Sequence, residues 1–420
     1  MCPDGSRAGD CLLRSCIVPS PRDFEEVHLR IERRSVLVVI VLGAGLASAA
    51  LLPAMRRPAG ATSSGALLAP PFQQSAAALA DTSFGRLIAR ISEPGGWFDT
   101  DNLISNESSY LHIMGRLRAL GIRGGAYIGV GPDQNFSYIA QIRPSLAFIL
   151  DIRRDNLLEH FLFKALLELA PTRIGYLSLL FGRSPPDDAA RFRDATVDVL
   201  VTTIDRATKQ QRLFDAAADR VAAAAAGFGV ALTQDDLDTI RRFHGEFFAA
   251  GPDLRFTSFG RAPRPYYPTF RQLLLERDRD GRQANWLASE ASYAFLRTMQ
   301  LENRIVPVVG NFAGPHALHE IGRVLRERNE RVTVLYASNV EFYLMQDRIF
   351  DRFADNVAAL PFDRNAVIIR SVFGSVFGHP QSVPGYASTQ LLQFMAAFVE
   401  RHREGAYPTY GDLVYLDYIR

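Results

Sequence analysis

Gly129-Val130-Gly131 closes a short apolar run, Ala126-Tyr127-Ile128, and 22 residues after Gly129 a second run, Leu146-Ala147-Phe148-Ile149-Leu150, closes on Asp151. A Gly-x-Gly turn between a strand and a helix lets a ligand approach backbone N–H groups at the helix start. An acidic residue at the tip of the next strand, typically about 20 residues on, can grip a ribose hydroxyl. Gly129, Gly131, Pro132, Asp133, Gln134, Asn135 and Asp151 are therefore the candidate cofactor-contacting residues, and the chemistry they suggest is the binding of a nucleotide or nucleoside.

A second set of polar residues stands at the ends of later apolar runs: Asn311 after 304–310, and Ser338, Asn339 and Glu341 after 331–336. All are expected to open onto one crevice, although Ser338 or Asn339 would serve equally well as a helix cap. His316, His319 and Glu320 share one helical face, but their spacing matches no zinc signature, so no metal site is expected. Neither a Gly-x-Ser-x-Gly elbow nor a Gly-x-x-x-x-Gly-Lys-Ser/Thr loop occurs, which argues against an α/β-hydrolase and a P-loop NTPase.

The elements that must position these residues follow from periodicity. Helical spacing is read over 75–91, 110–120, 137–142 and 156–169, and strands over 124–128 and 146–150. The loop Ser92-Glu93-Pro94-Gly95-Gly96-Trp97-Phe98 carries two aromatic anchors and is expected to fold over a site. No convincing strand appears over 171–300, whereas 215–226, 234–249 and 285–299 read as helices, so this stretch is expected to be a helical insertion. Alternation resumes with strands at 304–310, 331–336 and 366–371 and helices at 315–328, 340–353 and 388–400, and ends on an edge strand at 413–418. The expected fold class is α/β, a doubly wound and mostly parallel sheet with a large helical insertion. The domain reading is an N-terminal extension 1–35, a hydrophobic segment 36–52, a linker 53–74, a first α/β part 75–170, the insertion 171–300 and a second α/β part 301–420.

The chain is 48% hydrophobic and 22% charged, an ordinary globular composition, and its 47 basic and 45 acidic residues give a net charge of +2, with no field that favours nucleic acid. Residues 35–52 are almost uninterruptedly apolar and follow Arg30, Arg33 and Arg34, the layout of an export signal, cleaved near Ala59-Gly60-Ala61, or of a retained membrane anchor. Arg33-Arg34-Ser35-Val36-Leu37 resembles a twin-arginine signal. The expected location is the periplasm or the membrane, with the cytoplasm as the alternative. Cys2, Cys11 and Cys16 all precede this segment, so a cleaved chain would carry no thiol.

The order of strand, Gly129-Val130-Gly131-Pro132, helix, strand and Asp151 resembles the cofactor half of the S-adenosylmethionine-dependent methyltransferases. More narrowly, Gly95-Gly96-Trp97-Phe98-Asp99-Thr100-Asp101-Asn102, Ser105-Asn106-Glu107 and the run from Gly124 to Ile139 are similar to an uncharacterised bacterial family with a methyltransferase-like, Rossmann core, over roughly residue 84 to the C-terminus. Two positions differ from the methyltransferase pattern: Tyr127 stands where an acidic residue is usual, and Asp133 where a third glycine is usual. The resemblance implies S-adenosylmethionine as cofactor, with Gly129 and Gly131 facing its amino-acid portion and Asp151 its ribose. If the chain is an enzyme, an acceptor would be held for in-line transfer by Asn106, Glu107, Asn311 and Glu341. A non-catalytic exported protein that keeps the fold and binds another small molecule or an envelope partner is the alternative, and the acceptor and oligomeric state are left open.

Overall fold

A computed structural model describes residues 81–260, 262, 264–373 and 378–420; the hydrophobic segment 35–52, the arginines before it and all three cysteines lie outside the described residues. The chain divides after Pro70, and every described residue belongs to the unit Pro71–Arg420. No helix among the described residues is long and apolar enough to cross a membrane.

The fold is α/β, built on a six-stranded mixed sheet of order β3-β2-β1-β4-β5-β6. The strands are β1 (Ala126–Gly129), β2 (Leu146–Asp151), β3 (Ile305–Val309), β4 (Val332–Ser338), β5 (Phe362–Phe373) and β6 (Ser388–Phe394). All neighbouring pairs are parallel except β5 and β6. Every residue of β1, β2 and β3 is buried, as continuous apolar runs require in a parallel sheet covered on both faces. Strand order reverses between β1, whose successors lie on one side, and β4, which pairs on the other.

Helices α1 (Asp81–Ile91) and α2 (Met114–Ala119) precede β1, and α3 (Gln134–Ile142) and α4 (Arg154–Leu169) follow β1 and β2. Between β2 and β3 the chain is helical: α5 (Arg173–Leu180), α6 (Val197–Arg206), α7 (Gln211–Ala226), α8 (Gln234–Ala250), α9 (Phe270–Leu275) and α10 (Glu290–Leu301). Helices α7, α8 and α10 pack on α4, which is buried along nearly its whole length. Thr233 and Thr269 close capping boxes at the starts of α8 and α9.

The C-terminal part departs from the sequence reading. Helix α11 (Ala317–Glu327) joins β3 to β4, and residues 340–353 fall in two helices, α12 (Val340–Gln346) and α13 (Phe350–Ala358), because Arg348 turns left-handed at φ 59° between them. Residues 388–394, expected as helix, are the antiparallel strand β6, and helix α14 (Met395–Arg403) begins only after it. Leu391, Leu392, Met395 and Phe398 mimic helical spacing, but β6 is buried on both faces and its apolar residues pack as a strand. The expected edge strand at 413–418 is the short helix α15 (Tyr410–Tyr415), with a single bridge from Tyr418 to Gln393.

Candidate functional site

β1 ends on Gly129, and Val130, Gly131, Pro132 and Asp133 lead straight into α3. Gly131 has φ 82°, the left-handed region that favours glycine. Gly129 is required by the chain's own packing: a Cβ there would lie 2.0 Å from Asn135 Oδ1 and 2.6 Å from the Tyr127 hydroxyl. The Asn135 amide fills the inside of the turn. Its Nδ2 donates to the carbonyls of Val130 at 2.9 Å, Gly131 at 3.2 Å and Pro132 at 2.8 Å, while Tyr127 donates to its Oδ1 at 2.7 Å. Asp133 accepts from the Trp286 indole at 3.3 Å, and burial pushes its carboxyl up to about 7. Gln134 donates to the Tyr336 hydroxyl at 3.1 Å.

Parallel pairing of Gly129 with Ile149 sets this turn beside the tip of β2, where Asp151 lies. Both Asp151 oxygens are held by Arg153: Nε to Oδ1 at 3.1 Å, Nη2 to Oδ2 at 2.9 Å, and the Arg153 backbone N–H to Oδ1 at 2.9 Å. Arg153 Nη1 also donates to the carbonyls of Thr100 at 3.0 Å and Asp101 at 2.5 Å, and so pins the loop 92–102. That loop crosses the carboxyl ends of β2 and β3, with the N–H of Glu93 on Val309 O and that of Gly96 on Ile152 O, both at 2.7 Å.

The four residues proposed for an acceptor are not gathered together. Glu107 lies against the end of β4, where Ser338 donates to one oxygen and Gln390 Nε2 to the other at 2.8 Å; burial raises its carboxyl above the ordinary range. Ser338 has φ 51°, a left-handed conformation that serine seldom adopts, so the strand end beside Glu107 is held under strain. Asn106 is its half-buried neighbour in the chain. Asn311 is at the end of β3, three strand positions from β4 and so roughly 14 Å away. Its Oδ1 turns back to the Ala313 N–H at 2.8 Å. Glu341 is fully buried in a two-pronged pair with Arg370, Nε to Oε2 at 2.7 Å and Nη2 to Oε1 at 3.0 Å. His316 meets the Arg90 carbonyl and Glu320 pairs with Arg90, both structural contacts. Among the described residues no three His, Cys, Asp or Glu side chains converge on a metal position.

Two cavities flank these residues. One of about 540 Å³ opens at the carboxyl ends of β2 and β3, lined by Arg86, Glu93, Gly95, Arg154, Leu157 and Val309 among others. None of residues 129–135 reaches it. The second, about 410 Å³, is bordered by His112, Arg116, Arg279 and the same Gln390 that holds Glu107.

Sequence periodicity missed a further group. Asn156, Glu159 and His160 lie at i, i+3 and i+4 on α4, all almost wholly buried, and His160 Nε2 meets the Gly131 carbonyl at 2.9 Å. Both oxygens of Glu159, both amide atoms of Asn156, His160 Nδ1 and the Tyr176 hydroxyl have no hydrogen-bond partner among the described residues. An orphaned buried polar group costs about 1–3 kcal/mol, so native interiors fill such places with water or ligand. The signal was readable as polar residues interrupting one face of an apolar helix. Leu157, Leu158, Phe161 and Leu162, buried beside them on the same helix, mask it in the sequence.

A comparison with curated proteins finds no match. The chain matches the family described as Domain of unknown function (DUF7790) over residues 103–229 and 231–409, which is most of its length, and it belongs to that family.

Proposed function

We propose that the chain is a Rossmann-like, methyltransferase-type protein that binds S-adenosylmethionine or a related nucleoside across the carboxyl ends of β1, β2 and β3. The observation that carries this reading is the Gly129–Asp133 turn and Asp151 on neighbouring parallel strand ends, in a sheet of order 3-2-1-4-5-6. Dinucleotide-binding sheets share that order and bind at the point where it reverses. The turn residues and Asp151 would hold the ligand, with Asp151 reaching a ribose once Arg153 turns aside. If the protein is an enzyme, Asn106 and Glu107, at the reversal point, would position an acceptor, and catalysis would be chiefly a matter of placement. Asn311 and Glu341 are left to structural roles in this reading.

The clamp of Arg153 on Asp151 and the Asn135 amide inside the Gly turn favour a second reading, a non-catalytic binding protein that keeps the fold for another ligand. Thermal melting of the purified full-length chain with S-adenosylmethionine, S-adenosylhomocysteine or adenosine separates the two. At 100 times a Kd the stabilisation is about 2.7 kcal/mol, readily seen as a raised Tm. No shift with any of the three at millimolar concentration leaves the binding-protein reading standing.

A further inference from the structure

The cavity of about 410 Å³ beside α2 draws its wall from stretches far apart in the chain, three of which bring an exposed arginine. Arg116 stands on α2. Arg279 stands on a turn closed by the Arg277–Gln283 bridge, in which Asp278 accepts from the N–H groups of Asp280 at 3.0 Å and Arg282 at 2.9 Å. Arg420 follows Ile419, whose N–H donates to the Leu392 carbonyl on β6 at 2.6 Å. We infer that this cavity is a binding site for a small organic phosphomonoester, its phosphate held among Arg116, Arg279 and Arg420 and its organic part set against Ile113, Leu392 and Ile419.

A guanidinium keeps its charge in any surroundings, so the cations of this wall are fixed. Neither Arg116 nor Arg420 pairs with an acidic side chain among the described residues. Arg279 meets only neutral acceptors, Gln381 Oε1 at 3.3 Å and the Gln381 carbonyl at 2.7 Å, which aim it without cancelling its charge. The acidic side chain in the wall, Asp280, is held at 3.2 Å by Arg118, which also holds Asp278. Glu276, 3.6 Å from His112, lies outside the wall and accepts from the Tyr386 hydroxyl at 2.9 Å. With the main-chain carboxylate of Arg420 included, the wall holds three cations against two anions, one of them already paired. A planar carboxylate offers its two oxygens to one guanidinium fork, whereas a phosphate turns three oxygens to different sides and suits cations carried by separate segments. The volume falls within the roughly 300–1,000 Å³ of small-molecule sites, which leaves room for the organic part. None of the residues assigned to the nucleoside takes part, so the two sites stand or fall separately.

The test is thermal melting of the full-length chain near neutral pH, titrated with phenyl phosphate or glycerol 3-phosphate, against benzoate and sodium chloride at matched ionic strength. A saturable rise in Tm with at least one phosphate ester, absent with benzoate and chloride, is expected. Arg116→Gln and Arg279→Gln, both at exposed positions, are each expected to weaken that ester about tenfold or more. Arg86→Gln, an exposed arginine at the other cavity, is expected to leave it unchanged. The proposal is overturned if neither ester gives a saturable rise, if benzoate does as well as phenyl phosphate, if folded Arg116→Gln and Arg279→Gln bind as the wild type does, or if Arg86→Gln weakens the ester as much as they do. Should neither of the two cavity variants fold, the wild-type comparison of phenyl phosphate with benzoate decides alone.

Discussion

Asp151 and Arg153, two residues apart at the carboxyl end of β2, are locked to each other, and the free arm of the guanidinium reaches back to the carbonyls of Thr100 and Asp101. One side chain thus neutralises the acidic strand tip and fastens the loop that crosses the sheet edge. Replacing it, Arg153→Gln, leaves Asp151 buried without its counter-charge, and a loss of about 3–5 kcal/mol in urea unfolding is expected. The loop should loosen as well, so chymotrypsin under native conditions should cut at the exposed Trp97 or at Phe98 faster than in the wild type. Unchanged stability and cleavage would remove the clamp from this description.

The Gly turn makes a coupled prediction. Gly129→Ala drives a methyl group into Asn135 Oδ1 and the Tyr127 ring, and should destabilise by about 3 kcal/mol or more. Asn135→Ala removes the amide shared by three turn carbonyls and the Tyr127 hydroxyl, of which Gly131 O keeps His160 and Pro132 O keeps the residue-135 N–H, at a cost of about 1–3 kcal/mol. The double variant should be less damaged than the sum of the two, because one of the two clashes has gone. Strict additivity in denaturant melts would contradict the packing described for the turn.

Much of this geometry was legible in the residues, and the parts that were not have physical causes. The Gly129–Asp151 spacing located two strand tips that do pair in parallel, and fully apolar runs identified the buried strands β2 and β3. The fate of the Asp151 carboxylate was not legible, since Arg153 looks like any surface arginine at the start of a helix. The role of Asn135 inside the turn depends on three carbonyls converging, which no spacing rule encodes. Strand β6 was read as helix because burial on both faces erases the alternation that marks a strand.

Asp133 and His160 give stability opposite dependences on pH. Burial raises the Asp133 carboxyl from its ordinary 3.8 to about 7, so its share of stability is full below pH 3.8 and is lost as pH rises through 7. Burial lowers His160 from 6.5 to about 4, so its share is full above pH 6.5 and is lost as pH falls through 4. Between these limits the two slopes oppose each other. Asp133→Asn keeps an acceptor for Trp286 and removes one slope, so its stability relative to wild type should climb with pH by up to about 1.4 kcal/mol per pH unit between pH 4 and 7. Parallel stability curves for the two proteins would show that Asp133 is not held in its neutral form.

Glu341 and Arg370 form a wholly buried ion pair extended by Gln393, which donates in turn to the Tyr407 hydroxyl. Glu341→Gln strips the charge from one side only and should cost about 3–5 kcal/mol, whereas Glu341→Leu combined with Arg370→Met should recover most of that loss. Urea denaturation of the three variants checks this. A double variant no more stable than Glu341→Gln would mean that the pair does more than neutralise itself.

The nucleoside reading is tested most directly by a crystal structure of the chain grown with saturating S-adenosylhomocysteine. The expected result is ligand density over the carboxyl ends of β1, β2 and β3, with Arg153 swung away and a ribose hydroxyl within hydrogen-bond distance of Asp151. An intact Asp151–Arg153 pair with no density on that edge of the sheet would contradict it.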